Sequence, residues 1–158
     1  MRKTTILFSA MSLAATVLML APHARAAQFA GSITALNGNV AIERAGKSIP
    51  GIYGTTLQVS DRLTTDAKSG VTIGLSDGSQ IELTESSTLV LTESTLNPDG
   101  SRASTKVTLL GGLVRSIVRV AAGGAPNFEV HTPNAVAAAR GTKFDVAYEK
   151  GQERPLGP

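Results

Sequence analysis

The feature that most constrains the fold is a regular two-residue alternation of apolar and polar side chains, interrupted by short turn sequences. It is clearest between Gly70 and Ser94, which read GVTIGLSDGSQIELTESSTLVLTES. A period of two is typical of strands that bury one face, whereas a helix repeats its apolar residues every three to four positions. Asp77-Gly78 interrupts the alternation and favours a tight hairpin turn. This segment therefore predicts successive strands that lie side by side.

The alternation continues towards both ends of the chain. Asn37-Gly38 predicts another hairpin turn, and Ile33 and Ala35 before it are expected to face the same way. One strand is predicted before Gly111-Gly112 and one after it. The residues expected to face inward on these two strands are Val107, Leu109, Val114, Val118 and Val120, with Arg115 and Arg119 on the opposite face. Further strands are predicted from Phe128 and from Phe144.

These segments amount to about nine short strands, and no amphipathic helix is predicted outside the N-terminal segment. The predicted fold class is all-β, with mostly antiparallel, hairpin-linked strands. A sandwich, a roll and a short solenoid all agree with this pattern, because periodicity alone does not distinguish them.

The first 26 residues have the features of a signal peptide. Arg2 and Lys3 precede an apolar stretch, and Ala24-Arg25-Ala26 has the small-x-small form of a cleavage site. We therefore expect export to the periplasm. The alternative is an uncleaved segment that anchors the protein in the inner membrane, facing the periplasm.

Removal of residues 1–26 changes the charge balance. Three of the fifteen basic residues lie there, which leaves twelve basic residues against twelve acidic ones. A neutral domain does not predict nucleic-acid binding. With no cysteine to form disulfides, we expect one self-sufficient core over residues 27–149. Residues 150–158 form a polar tail, which we interpret as a possible truncated end.

Catalytic chemistry finds little support in the composition. The exported part has one histidine, His131, which shares an outward strand face with Glu129, and it has no cysteine. A catalytic triad or a closed zinc site needs more partners than these. A single Asp77-Gly78-Ser79 turn also lacks the second carboxylate of an aspartic protease. We therefore predict no enzymatic activity, no cofactor and no metal; a hydrolase is the alternative.

Four basic side chains are candidates for a binding stripe. Arg115, Arg119, Arg140 and Lys143 could contact an anionic sugar or a lipid headgroup. The alternative is an ordinary charged face of a neutral domain.

The segment from His131 to Val146 reads HTPNAVAAARGTKFDV. The alanines leave room for only one helical turn between Pro133 and Gly141, which favours a β interpretation. We expect a strand, a step of small residues packed closely against a neighbouring layer, and a second strand. Gly141 should supply a conformation or an approach that a β-carbon forbids. Arg140 is expected to lie over the sheet and bond loop carbonyls, with ligand contact as the alternative.

Several of these motifs together resemble the FecR protein domain. The resemblance covers roughly residues 35–148, and the motifs follow one another in the family's order. Ser60 stands where the family usually has glycine. The matching positions are Asp61 with Thr64-Thr65, Asp77-Gly78-Ser79, Gly112 in LLGGLVR, and Arg140-Gly141-Thr142 followed by Phe144 and Val146.

The resemblance implies a module of the cell envelope. The best-known FecR proteins regulate iron-siderophore uptake and have a cytoplasmic segment for a sigma factor, one membrane helix and this domain in the periplasm. Only Met1, Arg2 and Lys3 precede the apolar segment here, so we expect a sensing or interaction module without the sigma-factor segment. It would bind another envelope protein, or, as the alternative, a polysaccharide or peptidoglycan.

The family domain usually continues through further strands after Arg-Gly-Thr. Here a polar tail follows Tyr148, so either the chain is truncated or its final strand is unpaired. An unpaired edge from Phe144 to Tyr148 would accept a partner strand.

Overall fold

A computed structural model of the chain describes residues 28–120 and 127–149. This part contains twelve β-strands and no helix, which confirms the predicted all-β class. The predicted signal peptide, the polar tail and most of the turn before Asn127 lie outside the described residues. The strands are β1 Phe29–Asn37, β2 Val40–Arg44, β3 Lys47–Pro50, β4 Thr56–Gln58, β5 Arg62–Thr65, β6 Gly70–Gly74, β7 Gln80–Leu83, β8 Thr88–Leu96, β9 Arg102–Ile117, β10 Phe128–Thr132, β11 Ala135–Ala139 and β12 Lys143–Tyr148.

The strands form two sheets that share β9. Sheet A has the order β4-β1-β6-β7-β9-β12, and it uses the C-terminal half of β9. Sheet B has the order β3-β2-β5-β8-β9-β10-β11, and it uses the N-terminal half of β9. All pairs are antiparallel except β9 with β10, so the prediction of a mostly antiparallel fold is confirmed.

The central strand β9 runs through both sheets without a break. Sequence analysis divided this segment into two strands at Gly111-Gly112, and that division is wrong. Gly112 has a φ of 92°, in the left-handed region, and this bends the strand without ending it. The bend lets one strand belong to two sheets that face a common core.

The core is built from the alternating residues that the sequence pattern indicated. Both sheets contribute fully buried side chains to one cluster, including Ile73, Ile81, Leu83 and Val114 from sheet A and Ile42, Leu63, Leu89 and Val107 from sheet B. Aliphatic side chains dominate the cluster, and Phe128 is its aromatic member. Burial of these chains is the main force that holds the two sheets together.

Three predicted inward positions or segments are not where the alternation put them. A bulge between Ile33 and Ala35 shifts the register of β1, so Ile33 is buried and Ala35 is exposed. Val120 lies beyond β9 and is 78% exposed. The alanine segment forms strand β11, in which only Ala139 is buried and Val136 is 59% exposed. The expected close packing of the whole segment is therefore wrong.

Candidate functional site

A buried arginine connects the Asp77-Gly78-Ser79 turn to the start of β9. The Arg102 side chain is 1% exposed and forms an ion pair with the Asp77 carboxylate. It also donates 2.8 Å and 3.0 Å hydrogen bonds to Ser79 Oγ and to the Arg119 carbonyl. Arg102 opens β9, and Arg119 lies just beyond its end. One side chain therefore ties together the two arms of the bent strand, opposite the bend at Gly112.

The surroundings of Arg102 satisfy the rest of its guanidinium. Its Nε donates to Asn127 Oδ1 at 2.9 Å, and the Asn127 amide donates back to the Arg102 carbonyl at 2.8 Å. The ring centroid of Phe128 lies 5.7 Å from the guanidinium carbon. The sequence analysis missed Arg102 and Asn127. Val107 and Leu109 face inward, so strict alternation would bury the odd-numbered residues of this strand and place Arg102 on the solvent face.

The signature carboxylate Asp61 is also structural. It is 1% exposed and accepts bonds of 2.8 Å and 2.6 Å from Arg44 Nε and Nη2. It also accepts the backbone N–H of Gln58 at 2.8 Å. The bond from Arg44 to Asp61 raises the pKa of Arg44 above its ordinary value. Ser60, at the position where the resemblance expects glycine, has a φ of 78°.

Two signature glycines are required by close approach. A β-carbon on Gly112 would overlap Ser87 Oγ and lie 2.5 Å from Ser87 Cβ. A β-carbon on Gly141 would lie 2.5 Å from Val120 Cγ2, and the φ of Gly141 is 145°. The expectation that Gly141 supplies a conformation or proximity forbidden to other residues is confirmed.

The signature residues beside Gly141 are Arg140, Thr142 and Phe144, and two of the three make contacts within the fold. Phe144 packs edge-on against Phe128, with 6.1 Å between the ring centroids. The Thr142 carbonyl accepts the N–H of Val118 at 2.9 Å. Arg140 is exposed, and its predicted hydrogen bonds to loop carbonyls do not occur within residues 28–120 and 127–149.

The four predicted basic residues do not form one stripe. Arg115 lies between two carboxylates, with Nε 3.1 Å from Asp145 Oδ1 and Nη1 3.5 Å from Glu82 Oε2. The bond to Asp145 is the main cause that raises the pKa of Arg115. Arg119, Arg140 and Lys143 are exposed and lie near one end of sheet A, where Thr142 pairs with Val118 and Gly141 packs against Val120. These three form no ion pair with another described residue.

His131 lies where the sequence placed it, on the outer face beside Glu129. Its Nε2 is 2.7 Å from Glu129 Oε2, and both side chains are about one third exposed. Among the described residues, no group of three potential metal ligands comes together.

The strand β12 forms one edge of sheet A. Among the described residues, β12 pairs only with β9. The bond from Val118 N–H to the Thr142 carbonyl marks that pair as hydrogen-bonded, and such pairs alternate along an antiparallel ladder. Phe144, Val146 and Tyr148 therefore direct their backbone groups towards β9. Lys143, Asp145 and Ala147 direct theirs away from it, to the outer edge.

A comparison with protein-family models places this arrangement in a known family. Residues 61–154, which are more than half of the chain, match the model described as FecR protein. The chain belongs to the FecR family. The match contains every signature residue named above, and FecR membership indicates a signal-relay or regulatory module. No curated protein and no solved structure matched the chain.

The FecR match begins at Asp61, yet the preceding strands belong to the same fold. Ile33, Ile42 and Leu57 are fully or almost fully buried in the common core. Arg44 supplies the partner of Asp61. The described part of this FecR protein contains no helix long and apolar enough to cross a membrane.

Proposed function

We propose that this protein is a non-enzymatic FecR module of the periplasm that relays a signal by binding another envelope protein. The partner would add an extended segment to the outer edge of β12. The observation that carries the proposal is the alternation along β12, which leaves the backbone groups of Lys143, Asp145 and Ala147 directed away from β9. An exposed row of such groups is a template for strand addition.

Side chains on the same strand would give this binding its specificity. Phe144, Val146 and Tyr148 are half-buried and pack against the core, on the inner face of sheet A. A partner strand with apolar residues at alternate positions would extend this surface. Lys143 and Asp145 lie on the outer side and would select complementary charges.

The absence of enzymatic activity is part of the proposal. The two carboxylates of the signature are held by arginines, Asp61 by Arg44 and Asp77 by Arg102. His131 is held by Glu129 on an outer face. The periplasmic location is supported by the signal-peptide pattern of residues 1–26 and by the usual association of FecR domains with the envelope.

A photo-crosslinking amino acid at Ala147 tests the proposal in cells. Ala147 is exposed on the edge strand, so we expect crosslinks to another envelope protein. Ala41 is the matched control, because it is also an exposed alanine but lies on β2, which is paired on both sides. Equal crosslinking from both positions, or none from Ala147, would overturn the proposal.

An Ala147→Pro variant, with the crosslinker at Asp145, separates edge pairing from simple proximity. Proline removes the N–H that Ala147 directs outward, and prolines are tolerated at sheet edges where that N–H is not bonded. The variant should fold but lose the crosslink from Asp145. Retention of that crosslink would show that the backbone edge is not the contact.

The anionic-glycan alternative is supported by one observation. Arg119, Arg140 and Lys143 are exposed near the same end of sheet A, without ion pairs to other described residues. Binding to polygalacturonate should then fall with salt and in a triple variant with glutamine at these positions. Lys47→Gln is the control, because Lys47 is an exposed cation on distant β3. Salt-independent binding would contradict this alternative.

A further inference from the structure

The sequence along the β12 edge is complementary to its own reverse. Lys143 to Glu149 read KFDVAYE, with Val146 at the centre. When two copies run antiparallel with Val146 opposite Val146, Lys143 faces Glu149 and Phe144 faces Tyr148. The remaining pair is Asp145 with Ala147. From this pattern we infer that two copies of the chain form a dimer by joining their β12 edges about a two-fold axis at Val146.

The hydrogen-bond phase of β12 agrees with this alignment. An antiparallel bonded pair must join two residues that both direct their backbone groups outward. The alignment joins Asp145 to Ala147 and Lys143 to Glu149. Lys143, Asp145 and Ala147 direct their backbone groups outward in the ladder, and we extend the same alternation by one residue to Glu149. A shift of one residue would join outward groups to inward ones, and a shift of two residues in either direction would leave fewer residues of the segment paired.

The side chains favour the same alignment. On the outer face, each end of the joint would have one Lys143–Glu149 pair of opposite charge. On the inner face, each half-buried Phe144 would meet the half-buried Tyr148 of the second copy. The symmetric arrangement doubles both kinds of pair, as expected for a two-fold interface.

The dimer would regulate the site of the proposed function. This inference rests on the proposed function, because it places the second copy on the same β12 edge that the envelope partner would use. A second copy on β12 occupies the backbone groups that an envelope partner would need, so the partner must displace it. The dimer is then a form of the module that cannot bind the partner.

Sedimentation of the purified full chain tests the dimer. An interface of one strand edge is small, so the measurement should extend to about 100 µM chain. Lys143→Glu and Glu149→Lys each place like charges opposite one another at two positions, and each should weaken dimerisation about tenfold. A mixture of the two variants should dimerise as the unaltered chain does, because every introduced charge then meets its opposite. Lys47→Glu on β3 is the control and should change nothing.

A single introduced thiol gives a second measurement in a chain that has no cysteine. Val146→Cys lies on the two-fold axis and should form an intermolecular disulfide under mild oxidation, whereas Ala41→Cys on β2 should not. A chain that stays monomeric and does not crosslink through position 146 would overturn the dimer. Crosslinks from Ala147 to another protein would still support the proposed function. A dimer without such crosslinks would support only the self-association.

Discussion

At the scale of single residues, two ion pairs, each with one fully buried member, give the signature aspartates a structural role. Asp61 and Asp77 are each held by an arginine that comes from a different part of the chain. A buried charge without its partner is strongly destabilising, so each pair keeps its segments in one arrangement. These aspartates act in folding, and neither lies on the β12 edge that we propose for binding.

The Arg102 network allows a direct comparison with a surface pair. Arg102→Gln leaves the Asp77 carboxylate without its ion pair, and we expect a loss of about 3 kcal/mol in the free energy of unfolding. Arg62→Gln is the control, because Arg62 forms an exposed 3.8 Å pair with Glu43 and should cost less than about 0.5 kcal/mol. Urea denaturation of both variants measures the difference. Equal losses would contradict the role of Arg102 in connecting the Asp77 turn to the two ends of β9.

Ser60 is expected to be a site of local strain. A residue with a β-carbon is disfavoured at a φ of 78°, and glycine adopts this conformation readily. Ser60→Gly should therefore raise the free energy of unfolding by about 0.5 kcal/mol, after the entropy that glycine adds to the unfolded chain. Ser48→Gly in β3 has no such strain to relieve and should lower it. Thermal unfolding of the pair checks the sign, and a loss of stability in Ser60→Gly would contradict it.

At the scale of strands, the bend in β9 decides the architecture. Gly112 allows both the left-handed backbone and the close approach of Ser87. Ser87 uses this proximity, because its Oγ accepts the N–H of Leu113 at 3.1 Å. The neighbouring Gly111 has no atom within 4 Å of the place where a β-carbon would lie. The two glycines therefore have different roles despite their adjacency.

Alanine substitutions separate these roles. Gly112→Ala should cost about 3 kcal/mol or more in the free energy of unfolding, because it combines backbone strain with an overlap against buried Ser87. Gly111→Ala should change it by less than about 0.5 kcal/mol. Chemical denaturation with circular dichroism measures both. A Gly112→Ala variant as stable as Gly111→Ala would show that the bend does not need glycine.

The strands also show how far the sequence pattern reaches. Alternation identified the core faces of β6, β7, β8 and the second half of β9, because each of these strands buries one side only. It failed at Ala35, where a bulge changes the phase, and at Arg102, where the phase before Val107 also breaks. Such phase changes depend on how neighbouring strands pair, which no local pattern contains. The turn at Asp77-Gly78 was predictable, but its buried partner was not.

At the scale of the whole molecule, two sheets share the bent strand β9 and one core, and β12 is one of the edge strands among the described residues. The bend at Gly112 joins the sheets, Arg102 connects the two ends of β9, and one apolar core fills the space between them. Among the described residues, β12 is the edge strand of sheet A that directly follows Arg140-Gly141-Thr142. We therefore propose the β12 edge as the place where a strand of a partner or of a second copy would pair.

Amide hydrogen exchange along β12 tests the central claim most directly. In the chain alone at low concentration, the amides of Lys143, Asp145 and Ala147 should exchange quickly, and those of Phe144, Val146 and Tyr148 should exchange slowly because they bond to β9. When the protein that crosslinks through position 147 is added, exchange at the three outward amides should slow by about tenfold or more. Unchanged exchange at these three amides in the complex would contradict edge pairing as the basis of binding.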